Sequence, residues 1–317
     1  MNQIWVDKYR PKKFNEIIGQ DFFVKRIQAF LKTKNLPHLL FSGAAGTGKT
    51  STALVVATEL YGENGVKGNF LELNASDDRG IDIIRNQIKE FAKLKSLAQV
   101  PYKIIVLDEA DSLTKEAQQA LRRTMERYSA TCRFILCCNE MSKIIDPIQS
   151  RCVIFKFKGL NDVALKHLTK KIASLEGLKL DVDSESLLIK ISNGDVRKLI
   201  NTMQAVAAID KKVTVKLIEE ILDYVNPKEV EEMLKHAING DFFKAREEMI
   251  KLRVLRGLSA LEILKEIYRQ VIEMNLDSKV KIKLVDRIGT IEFRLVEGSD
   301  SELQLESLLA MIGMIRG

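Results

Sequence analysis

Three features of the sequence predict an α/β chain: a parallel five-stranded sheet with helices on both faces, followed by a small helical domain and an all-helical C-terminal domain. The first is the stretch Leu39-Leu40-Phe41-Ser42, which can form a buried strand and runs into a glycine-rich loop and then a helical run, Ser51–Leu60. The second is the alternation of short apolar strands with helical segments as far as about residue 158. The third is the loss of strand signals after Gly159, where only amphipathic helical patterns follow.

The loop reads Gly43-Ala44-Ala45-Gly46-Thr47-Gly48-Lys49-Thr50, a G-x-x-x-x-G-K-T phosphate-binding loop set between strand and helix. Gly43, Gly46 and Gly48 permit backbone conformations that a side chain forbids, so successive N–H groups can point at one anion. The following helix adds its positive N-terminal end. Lys49 is placed to reach the β- and γ-phosphates of a nucleoside triphosphate, and the Thr50 hydroxyl to ligate Mg2+.

Composition narrows the class. The chain has 317 residues, enough for two or three domains, with 46% hydrophobic and 29% charged residues, as in ordinary globular proteins. Its net charge of +7, from 50 basic and 43 acidic residues, suits a polyanion partner and equally a solvated basic surface. Cys132, Cys137, Cys138 and Cys152 form no C-x-x-C pair, and the three histidines are far apart, which argues against zinc. Cys137 and Cys138 read as reduced core residues. The charged N-terminus and the short apolar run Leu308–Ile315 predict no membrane association and a cytoplasmic location, nucleoid-associated in an archaeon or nuclear in a eukaryote.

The elements follow in order. The start is read as extended as far as Pro11, and Asp21–Lys32 as a helix with Phe22, Ile27, Phe30 and Leu31 on one side. Gly62 closes the helix after the loop. Strands are expected at 69–73, 103–107, 133–138 and 153–157, and a helix over 81–91 carries Ile84, Ile88 and Phe91. Thr114 is a candidate cap for a helix over 115–128, and Asp146-Pro147 starts a short one. Helices are then expected at 161–175, 184–192, 195–209 and 214–223, and at 228–239, 241–253, 258–275, 277–291 and 301–315. Asn226-Pro227 marks the boundary, so the domains read as 1–158, 159–225 and 226–317.

Chemistry concentrates where strands end. Asp108-Glu109-Ala110-Asp111 follows four apolar residues, at the sheet edge where ligands bind in open parallel sheets. Asp108 is placed to hold Mg2+ and Glu109 to polarise the water attacking the γ-phosphate. Asn139 ends the neighbouring strand; position alone leaves it equally a water-orienting amide or an ordinary strand-end asparagine. Arg151 and Arg197, taken singly, are more often surface ion-pair partners, yet a γ-phosphate transition state needs cations beyond Lys49 and one metal.

These motifs, in this order, resemble the AAA+ ATPases. The finer wording resembles the small subunits of replication factor C, the sliding-clamp loader: Trp5-Val6-Asp7-Lys8-Tyr9-Arg10-Pro11, Ile18-Gly19-Gln20, Leu73–Ile81, Asp108–Asp111, Ala120–Glu126 and Ser150-Arg151-Cys152. The compact length points to an archaeal member. The resemblance implies an ATPase with Lys49, Glu109, Asn139, Arg151 and Arg197 as its catalytic set. Asn139 is then the first sensor, Arg197 the second sensor on a helical lid, and Arg151 an arginine finger acting on ATP in a neighbouring subunit. ATP contacts are implied for Val6, Tyr9, Arg10, Pro11, Ile17 and Ile18 at the adenine, and for Gly43, Ala44, Ala45, Gly46, Thr47, Gly48, Lys49, Thr50, Ser51 and Asp108 at the phosphates and Mg2+.

The resemblance further implies that the C-terminal helices form a collar joining a pentameric ring with other small subunits and a large subunit. That ring would load the PCNA clamp onto primer–template DNA, with Arg79, Arg85 and Lys89 facing the DNA and Leu94–Val100 meeting the clamp. A solvated basic face is the competing reading of those cations, and a Holliday-junction branch-migration motor the competing AAA+ function. One departure stands out: the family usually has Pro-Pro where this chain has Ala44-Ala45, which predicts a less stiff loop with Lys49 and Thr50 still in place.

Overall fold

The computed structural model describes residues 3–33, 35–62, 65–77, 84–93, 100–222, 227–254 and 256–314, with the backbone alone at Ile84 and Arg85. It separates into two compact units, residues 1–212 and 213–317.

The first unit carries strands β1 (His38–Ser42), β2 (Phe70–Asn74), β3 (Lys103–Asp108), β4 (Cys132–Cys138) and β5 (Cys152–Lys156), all parallel, in the order β2-β3-β4-β1-β5. Side chains alternate between faces along a strand, so each strand feeds two cores. Leu40, Ile105, Leu107, Phe134 and Leu136 pack one face with Leu121 and Met125; Leu39, Phe41, Ile104, Val106 and Ile135 pack the other with Ile27, Val55 and Val56. Near-continuous apolar strands are what a sheet covered on both faces requires.

Ahead of the sheet lie α1 (Trp5–Lys8) and α2 (Asp21–Lys32); α3 (Lys49–Tyr61) follows the phosphate loop. The expected extended start is therefore partly helical. In α2 the buried pair is Phe23 and Ile27, four residues apart, whereas Phe22 is 73% exposed and lies beside Arg26. One residue is a rotation of about 100° in a helix, which carries Phe22 off the apolar stripe. Phe23 packs edge-on against Phe41 and Phe155 at 5.2 and 4.9 Å. Gly62 closes α3 as expected, with the Gly62 N–H on the Thr58 carbonyl.

A π-helical turn at Ile84–Ile88 leads into α4 (Lys89–Lys93), two residues beyond the expected end at Phe91. The N-terminal part of that expected helix, residues 81–83, lies outside the described residues. Thr114 caps α5 (Lys115–Arg127) by accepting the Ala117 N–H at 3.2 Å. Asp146-Pro147 starts α6 (Asp146–Gln149). Cys132, Cys137 and Cys138 are buried free thiols, as the sequence suggests for Cys137 and Cys138.

The unit ends in α7 (Asp162–Glu176), α8 (Val182–Ser192) and α9 (Val196–Ile209). Asn161, Asp181 and Asp195 cap them, each accepting a backbone N–H from its first turn. A two-residue strand at Lys179–Leu180, whose Lys179 N–H donates to the Lys211 carbonyl at 2.8 Å, was not foreseen; it is too short to show a period.

The second unit holds α10 (Val215–Leu222), α11 (Pro227–Ile238), α12 (Phe242–Val254), α13 (Ala260–Glu273), α14 (Ser278–Val296) and α15 (Ser301–Met314). Its core includes Val230, Met233, Ala245, Met249, Ile263, Ile267, Leu284, Ile291, Leu305 and Leu309. Ser259 and Glu262 form a reciprocal capping box at α13. Helix α14 runs five residues past the expected end at 291, because Ile288, Ile291 and Leu295 continue its apolar stripe as far as Gly298. Among the described residues no helix is long and apolar enough to cross a membrane.

Candidate active site

The strand order puts three chemically loaded ends side by side. β4 lies between β3 and β1, so Asn139 leaves the sheet between Asp108 and the phosphate loop. Neighbouring strands are about 4.8 Å apart, which brings side chains from all three ends within mutual reach.

The loop is held by its own atoms and by the helix at its far side. Gly48, at φ +88°, occupies the left-handed region that side chains resist, and α3 begins directly after it. Gly46 allows a close approach: a Cβ there would sit 1.8 Å from Asp195 Oδ1, and the Gly46 carbonyl accepts the Val196 N–H at 3.1 Å. The Thr47 hydroxyl donates to the Ala44 carbonyl at 2.8 Å. That carbonyl exists whether residue 44 is alanine or proline, so the Ala44-Ala45 departure leaves this brace in place.

Lys49 is 7% exposed, and its Nζ donates to the carbonyls of Gly43 and Ala44 and to Asn139 Oδ1 at 2.7, 2.9 and 2.9 Å. Burial pushes its pKa down, with Asp108 and Asp111 among the groups opposing that shift. The Thr50 hydroxyl donates to Asp108 Oδ2 at 2.6 Å, while Asp108 Oδ1 accepts the Glu109 N–H at 3.0 Å. A hydroxyl beside a carboxylate is a hard-oxygen pair of the kind Mg2+ selects alongside phosphate, so these residues fit the metal.

Glu109 adopts φ 50°, ψ 40°, a left-handed conformation unusual for a residue with a side chain. Strain of this kind costs about 1–3 kcal/mol and clusters at functional positions. Here it turns the chain sharply off β3 into the short helix Ala110–Ser112. Asp111 Oδ2 accepts the N–H groups of Asn139 and Glu140 at 3.1 and 3.0 Å, pinning the end of β4 and with it the amide that Lys49 meets. Sequence reasoning gave Asp111 no role; its position as the fourth residue of Asp-Glu-Ala-Asp was the available signal.

A cleft of about 320 Å3 opens beside these groups, within the usual size range of small-molecule sites. It is lined by Val6, Tyr9, Arg10, Pro11, Ile17, Ile18, Ala45 through Ser51, Asp108, Glu109, Asn139 and Arg197. The residues expected to contact ATP within one subunit thus converge, apart from Gly43 and Ala44, whose carbonyls accept from Lys49. Leu160, just ahead of α7, and Leu168 and Ile200, on α7 and α9, also line the cleft and were not anticipated, because scattered apolar residues look like ordinary core.

Arg151 is not part of this cleft. Its guanidinium pairs with Glu126 at 2.5 Å and donates to the Pro147 carbonyl at 2.6 Å, and its side chain is 36% exposed. Arg79, the side chain of Arg85 and residues 94–99 of the expected clamp-facing stretch lie outside the described residues. Lys89, at the start of α4, is half-buried.

A phosphate loop, an acidic strand end and a polar neighbouring strand end around one cleft define a P-loop ATPase of the AAA class. The family model for the ATPase family associated with various cellular activities (AAA) matches residues 39–160, and that for the replication factor C C-terminal domain matches residues 225–311. The chain is 49% identical to the replication factor C small subunit of Methanocella arvoryzae over 99% of its own length and 97% of the relative's. It is 46% identical to that of Archaeoglobus fulgidus over 99% and 98% of the two chains. The chain belongs to the replication factor C small-subunit family. Among solved structures, the RuvB Holliday junction branch migration motor of Thermotoga maritima is similar at a TM-score of 0.57 and 19% identity, covering 73% of this chain and 79% of that one, a likeness of fold alone.

Proposed function

We propose that this chain hydrolyses ATP as a subunit of a ring-shaped clamp loader that opens the PCNA sliding clamp and places it on primer–template DNA. The observation that carries the reading is the meeting of Lys49, Asn139, Thr50 and Asp108 at three adjacent strand ends, with Glu109 beside them in one cleft. The names of the archaeal relatives support the clamp-loading role.

Lys49 binds the β- and γ-phosphates. Thr50 and Asp108 would hold Mg2+, which when bound would supply charge neutralisation at the phosphates. Glu109 polarises the attacking water and accepts its proton, and the Asn139 amide orients that water. Arg197, on the first turn of α9, reaches the ATP of its own subunit. Arg151 does not line its own cleft and serves as the finger for ATP in a neighbouring subunit. Val6, Tyr9, Arg10, Pro11, Ile17 and Ile18 line the adenine side.

Residues 1–158 act as the ATPase domain, 159–225 as its lid and 226–317 as the collar that assembles a pentameric ring of small subunits with a large subunit. Arg79, Arg85 and Lys89 track the DNA backbone.

The test combines the purified chain, its large-subunit partner, ATP, the clamp and primed circular DNA. Clamp retained on the circle is the expected result. Strand separation with no clamp retained would overturn the reading.

A further inference from the structure

The N-terminal strap, Trp5 to Pro11, is tied to the ATPase core at one end and to the lid helices at the other. At the core end, Arg10 Nε donates to Ser51 Oγ at 3.1 Å, and its guanidinium stands 4.0 Å from Glu72. At the lid end, the Trp5 N–H donates to Gln204 Oε1 on α9 at 2.9 Å. Between these, the Lys8 ammonium and the Tyr9 hydroxyl converge on a single oxygen, Glu176 Oε1, at 2.7 and 2.5 Å.

Glu176 is the last residue of α7. A carboxylate there faces the negative end of the helix dipole, so its helix disfavours it. Its side chain is only 13% exposed, so water does little to relieve that cost. Burial pushes the Glu176 carboxyl up, yet the hydrogen bonds from Lys8 and Tyr9 prevail and hold it below its ordinary range. The Tyr9 hydroxyl is correspondingly held far above its usual range, by burial and then by Glu176. The residue makes sense as the partner of the strap rather than as part of its own helix.

The same strap supplies Val6, Tyr9, Arg10 and Pro11 to the cleft. The contacts to Gln204 and Glu176 therefore hold in place a segment that forms one wall of the cleft. We propose that Glu176 is a positioning residue for the nucleotide cleft: through Lys8 and Tyr9 it clasps the strap to the lid and sets how fast bound nucleotide departs. The inference rests on the reading of the cleft as a nucleotide site.

The test uses the full chain with Mg2+ and the fluorescent analogue methylanthraniloyl-ADP, chased by unlabelled ADP. Glu176→Ala should release the analogue roughly tenfold faster, and Tyr9→Phe roughly threefold faster, since a hydrogen bond to a charged group is lost and such losses act mainly on dissociation. The double variant should release no faster than Glu176→Ala, because both changes break the same contact. Trp5, the single tryptophan, is 8% exposed and edge-on to Tyr9, so its quenching by acrylamide should rise in Glu176→Ala. Should Glu176→Ala fold poorly, Tyr9→Phe, which removes one hydroxyl, carries the test.

Tight binding by the unaltered chain with unchanged release from both variants would overturn the clasp alone. Faster release with unmoved Trp5 quenching would likewise overturn it. Failure of the unaltered chain to bind the analogue would overturn the nucleotide reading and the clasp with it.

Discussion

The Thr50 hydroxyl donates to Asp108 Oδ2 at 2.6 Å, joining the first turn of α3 to the end of β3 across the strand that ends in Asn139. Fifty-eight residues of sequence separate the two groups. Thr50→Ala keeps the fold around the loop and removes one of the two oxygens expected on Mg2+. Mg2+-dependent hydrolysis should fall by about two orders of magnitude, with ATP binding in the absence of metal little changed. Steady-state turnover and nucleotide titration with and without Mg2+ check this.

Asp111 acts one step away. Asp111→Ala strips two N–H groups of their acceptor at the end of β4 and frees Asn139 to drift from Lys49. The melting curve should shift by the equivalent of about 2 kcal/mol, and kcat should drop more than the nucleotide Kd rises. An unaltered kcat would show that Asn139 needs no such anchor.

Arg151 pairs with Glu126 and does not line its own cleft. Arg151→Ala should leave ATP binding largely intact and lower hydrolysis in the assembled ring by about a thousandfold, the lower range for arginine fingers. A normal turnover rate in the ring would refute the role in trans.

The DNA-facing assignment is tested by the pair Arg79→Ala and Arg85→Ala. Stimulation of hydrolysis by primed DNA should weaken and become less sensitive to salt, while basal hydrolysis stays as it was. Unchanged stimulation would favour a merely solvated basic face.

His38 gives a pH signature to the fold itself. Its Nδ1 accepts the Phe134 N–H at 3.1 Å, and burial, then the charge of Arg133, lowers its pKa to about 4. The unfolded chain takes up this proton near pH 6.5 and the folded chain only near 4. The contribution is thus fully present above about pH 6.5 and fades as the pH falls toward 4, by at most about 3 kcal/mol. His38→Asn, which offers the same N–H an amide oxygen without titrating, should flatten denaturation midpoints across that window. An equally steep decline in the variant would place the acid sensitivity elsewhere.

The sheet was legible in the sequence because apolar strands, glycine-rich punctuation and helix caps such as Thr114 are written within a few residues of one another. The placement of Lys49 and Thr50 after a glycine-rich loop, and of Asp108, Glu109 and Asn139 at strand ends, was legible as well. Phe22 misled because a helix stripe is decided by a rotation of about 100° per residue, which an unaligned pattern of adjacent aromatics does not resolve. Leu160, Leu168 and Ile200 were indistinguishable from core until α7, α9 and the segment before α7 were placed beside the loop.

By itself, then, the sequence determined the kind of element at each position and the chemistry at each strand end, because helix periods, turns and the phosphate loop are short-range. Only the tertiary structure decided which ends meet. The strand order β2-β3-β4-β1-β5 puts Asn139 between Asp108 and Lys49, and the return of the chain brings Glu176 to Tyr9, 167 residues away. Such pairings depend on how the whole chain closes its two cores, and neither partner carries a local mark of the other.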